Sequence, residues 1–310
     1  MRPLEEVQAE VFDTVGILGT EPVTLDSAAG RVLGQDIVAD EDVPPFANSA
    51  MDGFAVRSED VIEAGAVLRL VDDVPAGRVA SVALGEGEAI KIMTGAPMPD
   101  GADSILRVED SEEEDGKVRA TVAVEPGTSV RPAGGDVAAG EVVFGRGTRL
   151  TPAHVGVLAT LGEALPTVYR RPTVALMSTG DELQPPDTKP LRPGMIRDSN
   201  RPMLNAMLSE IAEVVDLGRV PDDAEVMRSV LGRAAVEADA IVSSGGVSMG
   251  EHDVTKIVLL GETGVQFMQV AIKPAKPFGF GLLGGKPFFG LPGNPVSAMI
   301  SFEQFVRPAL

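Results

Sequence analysis

The chain has 310 residues, 44% of them apolar, with 46 acidic against 26 basic side chains and a formal net charge of −20. That length accommodates two or three domains with real cores, and so large an acidic excess argues against binding nucleic acid or an anionic membrane, both of which need a basic face. The absence of cysteine excludes disulfides, thiolate metal sites and cysteine nucleophiles, and two histidines, His154 and His252, leave too few ligands for a multi-histidine zinc site within one chain.

The opening "MRPLEEVQAEVF" lacks the basic-then-apolar form of a signal peptide. No 18-residue apolar run follows, so a soluble cytoplasmic protein is expected. Leu4, Val7, Val11, Val15 and Leu18 recur at helical spacing, which predicts a helix over Pro3 to Leu18. Residues 1–42 together with 137–169 are expected to form a small helix-containing N-terminal and linker domain. From Val43 to Asp136 short apolar runs such as "AVLRLVDDV", "EAIKIMTG" and "VRATVAVEP" alternate with Gly, Pro and acidic turns, the texture of a mostly β inserted domain over 43–136. Its "EDSEEEDGK" (Glu109 to Lys117) reads as a solvated hairpin loop. In "GTRLTPAHVGVLATLG" Thr151 is the expected N-cap of a helix with Pro152 at its first position, and His154 in that first turn reads as structural or exposed.

From Arg171 the rhythm changes to strand, helix, strand, helix. The strands are "TVALMS", "EVVDLGRV", "DAIVSS", "VQFMQVAI", "FGFGLL" and "FFGLPG". The helices are "NRPMLNAMLSEIA", opening at Asp198-Ser199, "AEVMRSVLGRAAVEA", "DVTKIVLL" and "PVSAMISFEQFV". This alternation predicts a doubly wound, mainly parallel α/β domain over 170–310. Ligands of such sheets bind at the carboxyl ends of the strands. That rule selects the loops "STGDEL", "VPDD", "SSGGVSMGEHD" and "IKPAKP", which carry Asp181, Glu182, Asp222, Asp223, Asp253, Lys273 and Lys276. Carboxylates and lysines at one strand edge suit a metal-assisted site for a phosphorylated ligand.

Within the third loop, Gly246-Val247-Ser248-Met249-Gly250 fits the G-x-S-x-G pattern of a hydrolase nucleophile elbow. The rest of a triad is missing. No histidine follows His252, which lies four residues beyond Ser248, and His154 is upstream of the α/β unit. A serine without a base is a poor nucleophile. Two readings of the loop stay open: an anion cradle, in which Gly245, Gly246 and Gly250 let backbone amides approach a phosphate, and a plain glycine-rich strand-to-helix turn. Neither a Walker A pattern nor G-x-G-x-x-G occurs.

The motifs "PPFANSAMDGFAV", "IMTGAPMPDGADSIL", "RPAGGDV", "STGDEL", "RDSNRPML", "SSGGVSMGEHD", "AIKPAKPFGFG" and "FGLPGNPVSA" resemble, in order over nearly the whole chain, the MoeA/gephyrin E-domain family of molybdopterin molybdenumtransferases. The resemblance implies insertion of molybdenum from molybdate into adenylyl-molybdopterin, giving molybdenum cofactor and AMP, with Mg²⁺ as the divalent cation. It implies a homodimer whose active sites lie between the α/β domain of one subunit and the β insert of the other, and a molybdopterin adenylyltransferase as a further partner. By the same resemblance Asp52, Thr94, Glu182, Asp222 and Lys273 are catalytic. Ser244, Gly245, Gly246, Ser248, Asp253, Lys276, Pro292 and Pro295 bind the pterin ligand, and Asp136, Glu182 and Asp222 hold the metal. Position 269 is glutamine where many members carry lysine, and the small C-terminal β-barrel of the family has no counterpart before the last residue. Two rival readings remain: a non-catalytic molybdopterin binder or scaffold of the same fold, and an enzyme of the CinA type that shares only the α/β domain.

Overall fold

A computed structural model describes residues 1–247, 257–260 and 264–310. The chain divides into two compact units, 1–20 with 169–310, and 21–168. The first helix, α1 (Leu4–Thr14), belongs to the former, because its buried face of Val7 and Val11 lies in the α/β core. The N-terminal segment therefore packs differently from the grouping of 1–42 with 137–169 read from sequence. The helix is also shorter than the periodicity suggested, since the backbone is extended from Val15. No helix among the described residues is long and apolar enough to cross a membrane.

The unit over 21–168 is built on a six-stranded sheet. Its strands are β1 (Gly53–Val56), β2 (Val67–Val74), β3 (Glu88–Ile92), β4 (Ser104–Arg107), β5 (Ser111–Glu114) and β6 (Lys117–Ala120), in the order β4-β1-β3-β2-β6-β5. All pairs are antiparallel except β2 with β3. The interior strand β1 is buried throughout. Phe54 and Val56 enter one apolar cluster and Ala55 the other, as a pleat with both faces covered requires. The acidic stretch expected to be a loop is mostly strand. Ser111–Glu114 pairs with Lys117–Ala120 across an Asp115-Gly116 turn in which both residues have positive φ (49° and 73°), the geometry that matches hairpin twist. Three glutamates on this outermost strand are tolerated because an edge is solvated, and charge there discourages further pairing. Helix α2 (Pro152–Thr160) opens as expected with Thr151 as N-cap. His154 closes a capping box: its Nδ1 accepts the Thr151 backbone N–H at 3.0 Å, and its own N–H reaches Thr151 Oγ1.

The α/β unit holds the second six-stranded sheet. In chain order its elements are β7 (Thr173–Thr179), α3 (Asn200–Ser209), β8 (Glu213–Val220), α4 (Ala224–Glu237), β9 (Ala240–Ser244), β10 (Gln266–Gln269), β11 (Pro277–Leu283), β12 (Lys286–Leu291) and α5 (Pro295–Ser301). The strand order is β8-β7-β9-β12-β11-β10. The first four run parallel; β11 and β10 add an antiparallel edge through a Gly284-Gly285 turn. Strand β7 explains its own sequence. Val174 and Leu176 pack beneath α1, α3 and α5, while Ala175 and Met177 pack beneath α4, so a continuous apolar run is required where both sheet faces carry helices. The chain leaves β7 for β8 on one side and returns to β9 on the other. Such a reversal opens a crevice at the carboxyl ends of β7 and β9.

Candidate functional site

That crevice is a cavity of about 320 Å³, lined by Thr179 and Gly180 after β7, Glu182, the 196–200 segment, Asp222 after β8, Ser244 to Gly246 after β9, and Gly293 and Pro295 after β12. It is at the small end of the range for ligand sites. Close backbone approach shapes it. A Cβ on Gly245 (φ 89°) would lie 2.7 Å from the Thr179 carbonyl oxygen, so only glycine lets β9 turn away so near β7. Gly180 (φ 135°) does the same beside the Glu182 carboxylate, which folds back over it.

Behind the cavity lies a polar wall absent from the sequence-derived site. Asp198 is 4% exposed. It accepts the Ser178 hydroxyl at 2.6 Å, the Arg201 backbone N–H at 3.1 Å and Arg201 Nε at 3.1 Å. Ser199, which immediately precedes α3, makes no side-chain cap bond, and Asp198 takes that role. Asn200 spends its amide hydrogens on Ser244 Oγ at 2.7 Å and on the Gly293 carbonyl at 2.8 Å, tying the loops after β9 and β12 to the start of α3. Arg197, a cation lining the same cavity, donates to the Thr188 carbonyl.

Of the residues predicted from sequence, Glu182, Asp222, Ser244, Gly245, Gly246 and Pro295 come together in this cavity. Asp222 is held by its backbone N–H on Asp181 Oδ1 (3.3 Å), and its carboxylate, at the exposed rim, accepts no hydrogen bond among the described residues. The neighbouring Asp223 is structural: its Oδ1 accepts the N–H groups of Glu225 and Val226 and caps α4. Lys273 and Lys276 line a second cavity of about 650 Å³ with Ala271, Pro274 and Ser297. Their loop is closed by Val270 N–H on the Lys276 carbonyl, and Ala275 adopts φ 83° to make the turn between them. Pro292 is buried between β12 and α5. Both cavities sit on one edge of the sheet, because β11 begins beside the end of β12. Ser248 and Asp253 lie outside the described residues.

In the other unit Asp52 and Thr94 form a pair. Thr94 donates its backbone N–H and its hydroxyl to Asp52 Oδ1, each at 2.7 Å. Those two bonds, the backbone one foremost, hold the Asp52 carboxyl below the ordinary range even though it is exposed. Asp136 is exposed, its backbone N–H bonded to the Val43 carbonyl. No cluster of three or more His, Cys, Asp or Glu side chains fit to hold a metal ion occurs among the described residues.

Residues 2–162 match the family model described as the MoeA N-terminal region (domain I and II), and residues 175–310 match the probable molybdopterin binding domain. The chain is 42% identical over 321 aligned positions to molybdopterin molybdenumtransferase 2 of Mycobacterium tuberculosis, covering 100% of this chain and 79% of that protein. It is 41% identical to the molybdopterin molybdenumtransferase of Haemophilus influenzae, covering 94% and 72%. Among solved structures it is similar to the molybdopterin biosynthesis MoeA protein of Pyrococcus horikoshii, with a TM-score of 0.87, 33% identity, and 100% and 78% of the two chains covered.

Proposed function

The chain belongs to the molybdopterin molybdenumtransferase (MoeA) family, which places it in molybdenum cofactor biosynthesis, and from that premise we propose that it transfers molybdenum from molybdate to adenylyl-molybdopterin, releasing AMP. The observation that carries this reading is the convergence of Glu182, Asp222 and the Ser244-Gly245-Gly246 turn in one cavity at the strand ends. Two carboxylates beside a glycine turn suit a phosphate-bearing ligand and a Mg²⁺ ion. That ion binds through one or two carboxylates plus substrate phosphates rather than in an all-protein cage. Glu182 and Asp222 would hold it, and when bound it would stabilise negative charge as the phosphoanhydride breaks.

The second cavity supplies the complementary charge. Lys273 and Lys276, with Ser297 beside them, suit molybdate or a phosphate group. Asp52, Thr94 and Asp136 complete the site from the β unit of a partner subunit in a homodimer, and the reaction takes place in the cytoplasm. A molybdopterin adenylyltransferase would deliver the adenylylated ligand. The CinA-type alternative is disfavoured because residues 2–162 match the MoeA N-terminal region as well. The test is release of AMP from adenylyl-molybdopterin when molybdate and Mg²⁺ are added to the protein. Retention of the adenylate under those conditions, with ligand bound, would make the chain a binder or scaffold.

A further inference from the structure

Asn200 faces two oxygens of different chemistry. Its Nδ2 is 2.8 Å from the Gly293 carbonyl oxygen and 2.7 Å from Ser244 Oγ. A carbonyl oxygen only accepts, so the amide cannot be flipped, and the NH₂ group must point at both. Ser244 Oγ is therefore an acceptor toward Asn200, and its hydroxyl proton is left to be donated elsewhere. Among the described residues no hydrogen bond donated by that hydroxyl is found. Ser244 and Asn200 are 2% and 7% exposed, and both line the 320 Å³ cavity.

A second observation points the same way. The Asn200 Oδ1 atom is buried with no partner among the described residues. An unpaired buried acceptor costs stability, so the amide holds this orientation although part of it is unsatisfied. The orientation does fix the polarity of the serine at the mouth of the glycine turn, where Gly245 and Gly246 have φ of 89° and 72°.

We propose that Asn200 is a positioning residue that sets Ser244 as a hydrogen-bond donor toward a phosphate oxygen of the ligand. A serine free to rotate would present lone pairs or a proton with equal ease. One held by Asn200 presents the proton, the polarity a phosphate requires. The inference rests on the molybdopterin-binding reading above.

The probes are molybdopterin and the same pterin with its phosphate removed, titrated calorimetrically into the full chain. The variants are Asn200→Asp, Asn200→Ala, Ser244→Ala, Ser244→Thr and the Asn200→Ala/Ser244→Ala double, each checked for cooperative unfolding. Ser244→Ala and either Asn200 variant should weaken molybdopterin binding by about tenfold or more, the size of one hydrogen bond to a charged group. Asn200→Asp reverses the polarity, because a carboxylate would claim the serine proton. Binding of the dephosphorylated pterin should stay within about twofold, and the double variant should bind no worse than Ser244→Ala alone. Ser244→Thr, which keeps the hydroxyl, should retain affinity. Should Asn200→Asp fail to fold, Asn200→Ala against the double variant decides. Equal losses for both ligands, wild-type binding by the Asn200 variants, or an undiminished Asn200 effect without the serine hydroxyl would overturn the proposal. A wild-type chain that binds neither pterin would instead sink the ligand reading, and this inference with it.

Discussion

Thr94 grips a single oxygen of Asp52 twice, through its backbone N–H and its hydroxyl, both at 2.7 Å. Both bonds favour the ionised carboxylate, so the group stays charged to lower pH than a free aspartate. Thr94→Val removes the hydroxyl and keeps the N–H. The Asp52 pKa should then rise but remain below the ordinary value, because the backbone bond is the larger cause. The sign for stability follows. The folded pKa lies below the unfolded one, so this contact contributes above the unfolded value, near 3.8, and its contribution is lost as pH falls through the folded value. A carboxyl-carbon NMR titration checks it; an unshifted Asp52 in the variant would contradict it.

Asp239 ties the start of the α/β sheet to the strand entering it. Arg170 meets it with two parallel bonds of 2.8 and 2.9 Å, and the Thr173 N–H adds a third at 2.9 Å. The Arg170 bonds are the chief reason its pKa is lowered, against a burial effect that raises it. Its stabilisation is likewise present above the unfolded carboxyl pKa and lost as pH falls through the folded one. Asp239→Asn should cost about 1 kcal/mol, below the usual value for hydrogen bonds to charged groups because Arg170 is 41% exposed and solvent screens the pair. It should also flatten the acid limb of a pH–stability curve measured by urea unfolding. A variant whose acid limb matches wild type would refute the assignment.

Sequence periodicity made the α/β unit legible, because Val174 to Met177 must be apolar on both faces and a glycine turn must follow β9. The carboxyl-edge rule then led to Glu182 and Asp222, and the family resemblance to Ser244. The rule did not lead to Asp198 or Asn200. At the head of a helix an Asp and an Asn read as caps, and their partners Ser178 and Ser244 are 20 and 44 residues away. Such pairings exist only once β7, β9 and α3 are assembled. Asp223 is the opposite case: it stands among the strand-end carboxylates that the carboxyl-edge rule selects, yet two amides of α4 already claim it. Three consecutive glutamates suggested a loop because alternation is invisible on a strand whose faces are both wet.

Ser248 is expected not to act as a covalent nucleophile. Of the two histidines in the chain, His154 is occupied in the capping box of α2, and His252 is four residues from the serine. A fluorophosphonate probe should leave Ser248 unmodified under conditions that label a serine hydrolase completely, as read by peptide mass spectrometry. Labelling at Ser248 would show that a base activates it.

Lys273 is exposed at the cavity it shares with Lys276 and Ser297. Lys273→Ala should reduce AMP release by about tenfold or more, the value of one charge-assisted contact to an oxyanion. Stability should change by no more than about 0.5 kcal/mol, as for other exposed substitutions. Wild-type turnover in the variant would remove Lys273 from the site. A large loss of stability would recast it as structural.

The proposed sharing of each site between two subunits has a quantitative consequence. Asp52 lies in the unit over 21–168 and Lys273 in the α/β unit. Let Asp52→Ala and Lys273→Ala each inactivate the homodimer. In a mixed twofold dimer one site collects both defects, and the other takes Asp52 and Lys273 from the two unaltered sources. Random exchange makes about half the dimers mixed, each with one intact site of two, so recovered activity should approach roughly a quarter of wild type if the sites act independently. Unfolding and refolding the two variants together, beside a wild-type control, measures it. If both residues served a site within one subunit, every subunit in every dimer would carry one defect, and refolding would restore nothing. That outcome, with the control recovered, would rule out the shared site.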